Sequence, residues 1–214
     1  MKVIFGTTNK RKLEDLEHIV KKHGLNLEIL CLADIGWDRG EIDENGLTIE
    51  ENSLIKANAI HDFCVSHGIN HPIITDDSGL FIKALNGEPG IHTARYAEQE
   101  MLADPTLPAH ESTNKIIRLM QGIKDRSATF RCAVTCMFAD GSYKQFGGKT
   151  EGTIAEKVLE PIKKPYSYCV FLLKSTGKSL HETVGKDAEN TYRMVALSET
   201  LKHLNSLENQ NQPN

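Results

Sequence analysis

Between Ala128 and Phe138 the chain reads ATFRCAVTCMF, and Phe130, Cys132, Val134, Cys136 and Phe138 fall on every second position. A period of two places those side chains on one face of an extended strand, which a helix cannot do. Asp140-Gly141 follows, a dipeptide suited to a tight turn, and Ser142 to Phe146 then reads as the returning strand. Any fold for this chain must therefore contain a β-hairpin in its second half.

Elsewhere strands alternate with helices. Lys2 to Phe5 is a short apolar run closed by Gly6. Thr7-Thr8-Asn9 then offers N-cap chemistry to a helix with Leu13, Leu16 and Val20 on one face, stopped at Gly24. Leu27 to Leu32 reads as a second strand, and Ala33 to Thr48 as a long loop rich in carboxylates. A helix is expected from Ile49 to His67, with Ala57, Ile60 and Cys64 at helical spacing and Gly68 as its stop. Ile73 to Thr75 predicts a short strand, and the glycine-rich Asp76 to Tyr96 a functional loop at its end. Glu98 to Pro108 is expected to be mobile, and Ala109 to Met120 helical. Lys149 to Ile154 and Tyr168 to Leu173 read as strands. The last helix is expected from Asn190 to Leu207, with Met194, Leu197, Leu201 and Leu204 inward, leaving Glu208 to Asn214 as a polar, disordered tail. An α/β domain over residues 1–207 is the simplest expectation for a chain of 214 residues.

The formal charge of −4, from 25 basic and 29 acidic residues, argues against a nucleic-acid polymer or an acidic membrane as partner. It leaves room for a small anion held by a few local cations. Five cysteines without a CxxC sit in or beside apolar runs and read as reduced core thiols. No 18-residue apolar stretch or leader-like apolar run occurs, so a soluble cytoplasmic protein is expected.

Four segments have the residue types for chemistry. Thr7, Thr8, Asn9 and Lys12 lie at a strand-to-helix junction, where free N–H groups and the helix dipole favour an anion. An ordinary N-cap with solvated lysines would look the same. Asp76-Asp77-Ser78-Gly79 follows a buried strand. Neighbouring carboxylates on extended backbone point to opposite sides, so one can face a ligand or Mg²⁺ while the other braces the loop. An Asx turn with Gly79 at positive φ is the plainer reading. The Asp43-Glu44 loop could add a second metal-binding carboxylate. On the second helix Asn52 and Lys56 share a face, with Lys56 either reaching a phosphate or solvated. Gly87-Glu88-Pro89-Gly90 reads as a tight turn, followed by Arg95, either a structural partner or a phosphate donor.

In this order the segments resemble the inosine triphosphate pyrophosphatase family, which hydrolyses non-standard purine nucleoside triphosphates to monophosphate and pyrophosphate. The matching motifs are T-x-N-x-x-K at Thr7, Asn9 and Lys12, and E-x-G-x-T at Glu44, Gly46 and Thr48. E-N-x-x-x-K-A follows at Glu51, Asn52, Lys56 and Ala57, then D-D-S-G-L and G-x-P-G-I-x-x-A-R-Y. The resemblance implies an elongated, twisted mixed sheet flanked by helices, two lobes with a central cleft, a Mg²⁺-dependent site and a homodimer. It implies Asp77 as catalytic base and metal ligand and Glu44 as second metal ligand. Thr7, Thr8, Asn9, Lys12, Lys56 and Ser78 become triphosphate ligands.

The C-terminal half departs from that pattern. Where the family carries G-G-F-G-Y-D-P, this chain has Lys164 to Val170 (KPYSYCV), with Cys169 in place of the aspartate. Where the family has S-H-R, it has Thr191-Tyr192-Arg193. Tyr166, Tyr168, Lys186, Tyr192 and Arg193 are the expected base-binding residues, with fewer polar groups to read a purine edge. Because stacking alone discriminates weakly, a shifted or relaxed base preference is expected. A non-catalytic nucleotide sensor and a pyrophosphatase for modified pyrimidine nucleotides are the alternatives.

Overall fold

The computed structural model describes residues 1–183 and 190–210. The elements are β1 (Lys2–Phe5), α1 (Lys10–His23), β2 (Glu28–Cys31), α2 (Ile49–Ser66), β3 (Ile73–Ile82), β4 (Pro89–Gly90), α3 (Glu98–Ala103) and α4 (Glu111–Leu119). After these come β5 (Ser127–Met137), β6 (Tyr143–Ile154), β7 (Phe171–Leu173), α5 (Leu180–Thr183) and α6 (Tyr192–Gln210). The strands form one mixed sheet in the order β2-β1-β3-β5-β6-β7, with β4 on β3. β1 is parallel to both β2 and β3, whereas β3 with β4 and β6 with β7 are antiparallel.

The chain divides into two compact units. Met1–Asp77, Cys132–Gly148 and Tyr192–Asn214 form the first, Ser78–Arg131 and Lys149–Thr191 the second. In the first, β1 is wholly buried from Val3 to Phe5, because it lies between β2 and β3 with parallel partners on both sides. Helix α2 packs Ala57, Ile60, Phe63 and Cys64 onto Ile4, Ile73 and Met137. Helix α1 packs against α6, which buries Met194, Leu197, Leu201 and Leu204 as its spacing predicts. In the second unit Phe130 meets Tyr168 and Phe171 edge-on, with centroids 5.4 and 4.8 Å away.

Five expectations need correction. The strand predicted to end at Thr75 runs on to Ile82. Gly79 is extended rather than at positive φ: a Cβ there would stand 2.3 Å from the Gly90 carbonyl oxygen, so its glycine serves the close approach of β4. Tyr166–Val170 is a 3-10 turn, and only Phe171–Leu173 is strand. Glu98–Ala103 is helical within the segment expected to be mobile. Helix α6 continues through Gln210, past the expected start of the tail, and Glu208 pairs with the N-terminal ammonium of Met1, which anchors that last stretch.

Candidate active site

The junction between β1 and α1 is shaped by what lies behind it. The Gly6 N–H donates to the Ile74 carbonyl at 2.8 Å, and a Cβ at Gly6 would stand 2.4 Å from Ile60 Cδ1. A side chain at Gly6 would have to displace the tips of Ile60 and of Thr75, whose Cγ2 would lie 2.8 Å away. Thr7 is buried, and its Oγ1 accepts the Asn9 N–H at 3.1 Å, while the Asn9 carbonyl accepts the Lys12 N–H at 3.0 Å. Thr8 and Asn9 are exposed at the start of α1. Lys12 then points from the first turn to Asp76, with Nζ 2.9 Å from Oδ1.

Asp76 is 2 % exposed, and Arg193 from the start of α6 holds its other oxygen, Nε to Oδ2 at 3.2 Å. Burial favours the neutral acid, but Lys12, Arg193 and Lys56 outweigh it and hold the carboxyl well below the usual carboxylate range. Asp76 is therefore the bracing carboxylate of the pair. The alternation of β3 turns Asp77 to different partners: Asn52 Nδ2 donates to Oδ2 at 3.2 Å, and Lys56 Nζ lies 3.9 Å from Oδ1.

The acidic loop is brought to the same place by the start of α2. Thr48 is the N-cap, its Oγ1 accepting the Glu51 N–H at 3.1 Å, while Glu51 Oε2 accepts the Leu47 N–H at 2.6 Å. The Gly46 N–H donates to Asn52 Oδ1 at 2.8 Å, and a Cβ on Gly46 would stand 2.7 Å from that oxygen. With the loop pinned at three successive residues, Glu44 lies 3.2 Å from the Lys56 ammonium. Asn52, 3 % exposed, thus ties the acidic loop to Asp77 by opposite ends of one amide.

Behind it, Ser53 is fully buried. Its hydroxyl donates to Thr135 Oγ1 at 2.8 Å and accepts the Thr135 N–H at 3.0 Å, and Thr75 Oγ1 donates to the Ser53 carbonyl at 2.6 Å. These bonds fasten α2, and with it Asn52 and Lys56, to β3 and β5. Sequence reasoning assigned no role to Asn52 or Ser53, and it gave one member of the Asp76-Asp77 pair a bracing role without naming Lys12 and Arg193 as its partners. The available signal was a run of polar residues at positions 52, 53 and 56 of a helix that also has to bury an apolar face.

Among the described residues no three His, Cys, Asp or Glu side chains converge as a metal cage. Glu44 and Asp77 instead offer two carboxylates around one cation. That donor set suits Mg²⁺, which takes one or two protein carboxylates and completes its shell with water and phosphate. Ser78 follows Asp77 in β3 and begins the second unit.

The expected base-binding residues are spread more widely. Tyr166 is half-buried in the second unit, its ring tilted on His110 at 6.0 Å. Tyr168 is 5 % exposed between Phe130 and His181, and Tyr192 is 2 % exposed, its carbonyl oxygen 1.9 Å from where a Cβ on Gly148 would stand. Both rings are core groups of their own units and present no open face for stacking. Arg193 is engaged with Asp76 and lies 5.5 Å over the Tyr192 ring. Lys186 lies outside the described residues.

A family model described as the Ham1 family matches residues 3–201. The chain belongs to the Ham1 family. It is 31 % identical over 209 residues to a dITP/XTP pyrophosphatase of Listeria innocua, covering 95 % of this chain and 94 % of that protein. A dITP/XTP pyrophosphatase of Bacillus subtilis is 31 % identical over 204 residues, covering 94 % and 96 %. The Ham1 protein of Staphylococcus aureus superposes with a TM-score of 0.78 at 25 % identity, over 97 % of this chain and 100 % of that one. A HAM1 protein from Coxiella burnetii has the same fold, with a TM-score of 0.80 at 24 % identity over 96 % and 99 %. No helix among the described residues is long and apolar enough to cross a membrane.

Proposed function

We propose that this Ham1 chain is a nucleoside triphosphate pyrophosphohydrolase that converts non-standard purine triphosphates, dITP, ITP and XTP, to the monophosphate and pyrophosphate. The carrying observation is the convergence of Glu44 and Asp77 on Lys56, with Lys12 held on the neighbouring Asp76. Carboxylates for a water and a metal stand beside cations for a polyphosphate. The names of the Listeria innocua and Bacillus subtilis relatives support the substrate class.

In this reading Asp77 orients the attacking water and takes its proton as oxygen bonds to the α-phosphorus. The bond from the α-phosphorus to the bridging oxygen breaks, and pyrophosphate leaves with that oxygen. Lys12, Lys56, the hydroxyls of Thr7 and Thr8, and Asn9 hold the triphosphate, with Ser78 beside it. The cations stabilise charge as it builds on the leaving group. Glu44 and Asp77 would hold Mg²⁺, which supplies charge neutralisation to the phosphate oxygens. A cytoplasmic homodimer belongs to the same proposal, by resemblance to the inosine triphosphate pyrophosphatases.

On the base side, Tyr192 replaces a histidine expected from that resemblance and is buried, so a polar reader of the purine edge is lost. Base preference is accordingly relaxed. Pyrophosphate release with Mg²⁺, measured over dITP, XTP, ITP, GTP and pyrimidine triphosphates, tests both claims. Turnover of dITP and XTP with appreciable GTP hydrolysis is expected, and strict selection of ITP and XTP would refute the relaxed preference. Asp77→Asn should abolish release while nucleotide still binds. Wild-type turnover in that variant would remove Asp77 from its role, and nucleotide binding without release by the wild-type protein would indicate a sensor.

A further inference from the structure

Lys56 occupies an unusual position for a lysine that is to hold phosphate. Its ammonium stands 3.2 Å from Glu44 Oε1 and 3.9 Å from Asp77 Oδ1, oxygens of the two carboxylates that would hold a divalent ion, and its side chain is only 11 % exposed. A nearly buried ammonium needs anionic partners, and here both partners are the carboxylates a metal would require. The same two oxygens cannot serve both cations at full strength.

The three groups differ in their freedom to move. Asp77 is tied through Asn52, and the Glu44 loop is pinned at Gly46, Leu47 and Thr48. Lys56 carries its charge on a flexible four-carbon stem from α2. A polyphosphate brings several anionic oxygens, a better partner for the ammonium than two carboxylates that a divalent ion can also claim.

We propose that Lys56 is a built-in counter-ion that keeps Glu44 and Asp77 from holding a divalent metal until a polyphosphate draws its ammonium away, so that metal and nucleotide load together. The inference rests on the pyrophosphohydrolase reading of this site. It assigns Lys56 two successive partners, the carboxylates in the free protein and phosphate in the loaded one.

The test is Mn²⁺ binding to the nucleotide-free full chain, followed by electron paramagnetic resonance of free Mn²⁺ for wild type, Lys56→Met and Lys56→Arg. Lys56→Met should bind Mn²⁺ about tenfold more tightly than wild type, roughly 1.4 kcal/mol, and Lys56→Arg, which keeps the charge, should stay as weak as wild type. Equal or weaker binding by Lys56→Met overturns the proposal, as does tight binding by Lys56→Arg. Circular dichroism checks folding, and if Lys56→Met does not fold, Lys56→Gln decides on the same criterion. Pyrophosphate release from dITP by the wild-type protein is measured beside it. No release there would overturn the functional reading whatever the Mn²⁺ titration gives.

Discussion

Replacing Asp76 with asparagine removes one charge from a carboxylate that is 2 % exposed and shared by Lys12 and Arg193. Breaking a buried ion pair by removing one member costs about 3–5 kcal/mol when the other charge stays buried. Lys12 and Arg193 have side chains 21 % and 14 % exposed, so both can recover part of their hydration, and a loss of about 3 kcal/mol is expected. At about 2–4 °C per kcal/mol for a chain of this size, the melting temperature should fall by roughly 6–12 °C. The effect has a definite pH dependence. The Asp76 carboxyl titrates lower in the folded protein than in the unfolded chain, so its stabilisation is complete above the unfolded value near 3.9 and is lost as pH falls through the folded one. Wild type and Asp76→Asn should therefore differ by a constant amount from about pH 5 to about pH 8 and converge below about pH 4. Urea denaturation followed by the single tryptophan, Trp37, which packs on Phe63 in the same unit, reads the difference. A difference under about 0.5 kcal/mol near neutral pH, or one that grows on acidification, would refute the assignment of Asp76 as the shared counter-ion.

Ser53→Ala should cost about 1–3 kcal/mol in urea denaturation, because it leaves the Thr135 N–H buried without its acceptor; an unchanged midpoint would mean that this network does not fasten α2 to the sheet. Gly46→Ala should lower kcat/KM for dITP about tenfold or more with little change in denaturation midpoint, because the added methyl meets Asn52 Oδ1 and displaces the loop that carries Glu44. Unchanged kinetics would show that the loop tolerates the shift.

How far the amino-acid sequence could be read depended on whether a feature was local. The strand and helix from Lys2 to His23 follow from neighbours in the chain, as do the start of α2 at Thr48 and the hairpin around Gly141. Gly79 misleads for the opposite reason. A glycine after two aspartates has the local signature of a turn, yet its lack of a side chain is required by β4, which reaches it from Gly90 across the sheet. The helical turns of α3 and the last residues of α6 likewise depend on partners the local pattern does not name, such as Met1 for Glu208.

The site divides along the same line. Residue types at Lys12, Glu44, Lys56 and Asp77 announce anion and metal chemistry, but which cation meets which carboxylate is a property of strand register. Because side chains alternate along β3, Asp76 turns to Lys12 and Arg193 while Asp77 turns to Asn52 and Lys56. A slip of one residue would set either Asp76 beside Asn52 and Lys56 with Thr75 facing Lys12 and Arg193, or Asp77 facing Lys12 and Arg193 with Ser78 beside Lys56. Gly6 and Ser53 join β3 to β1 and to α2 on the side of Ile74 and Thr75, immediately before the two aspartates. Those contacts hold the register that decides which of two identical side chains meets Lys12 and Arg193 and which meets Asn52 and Lys56.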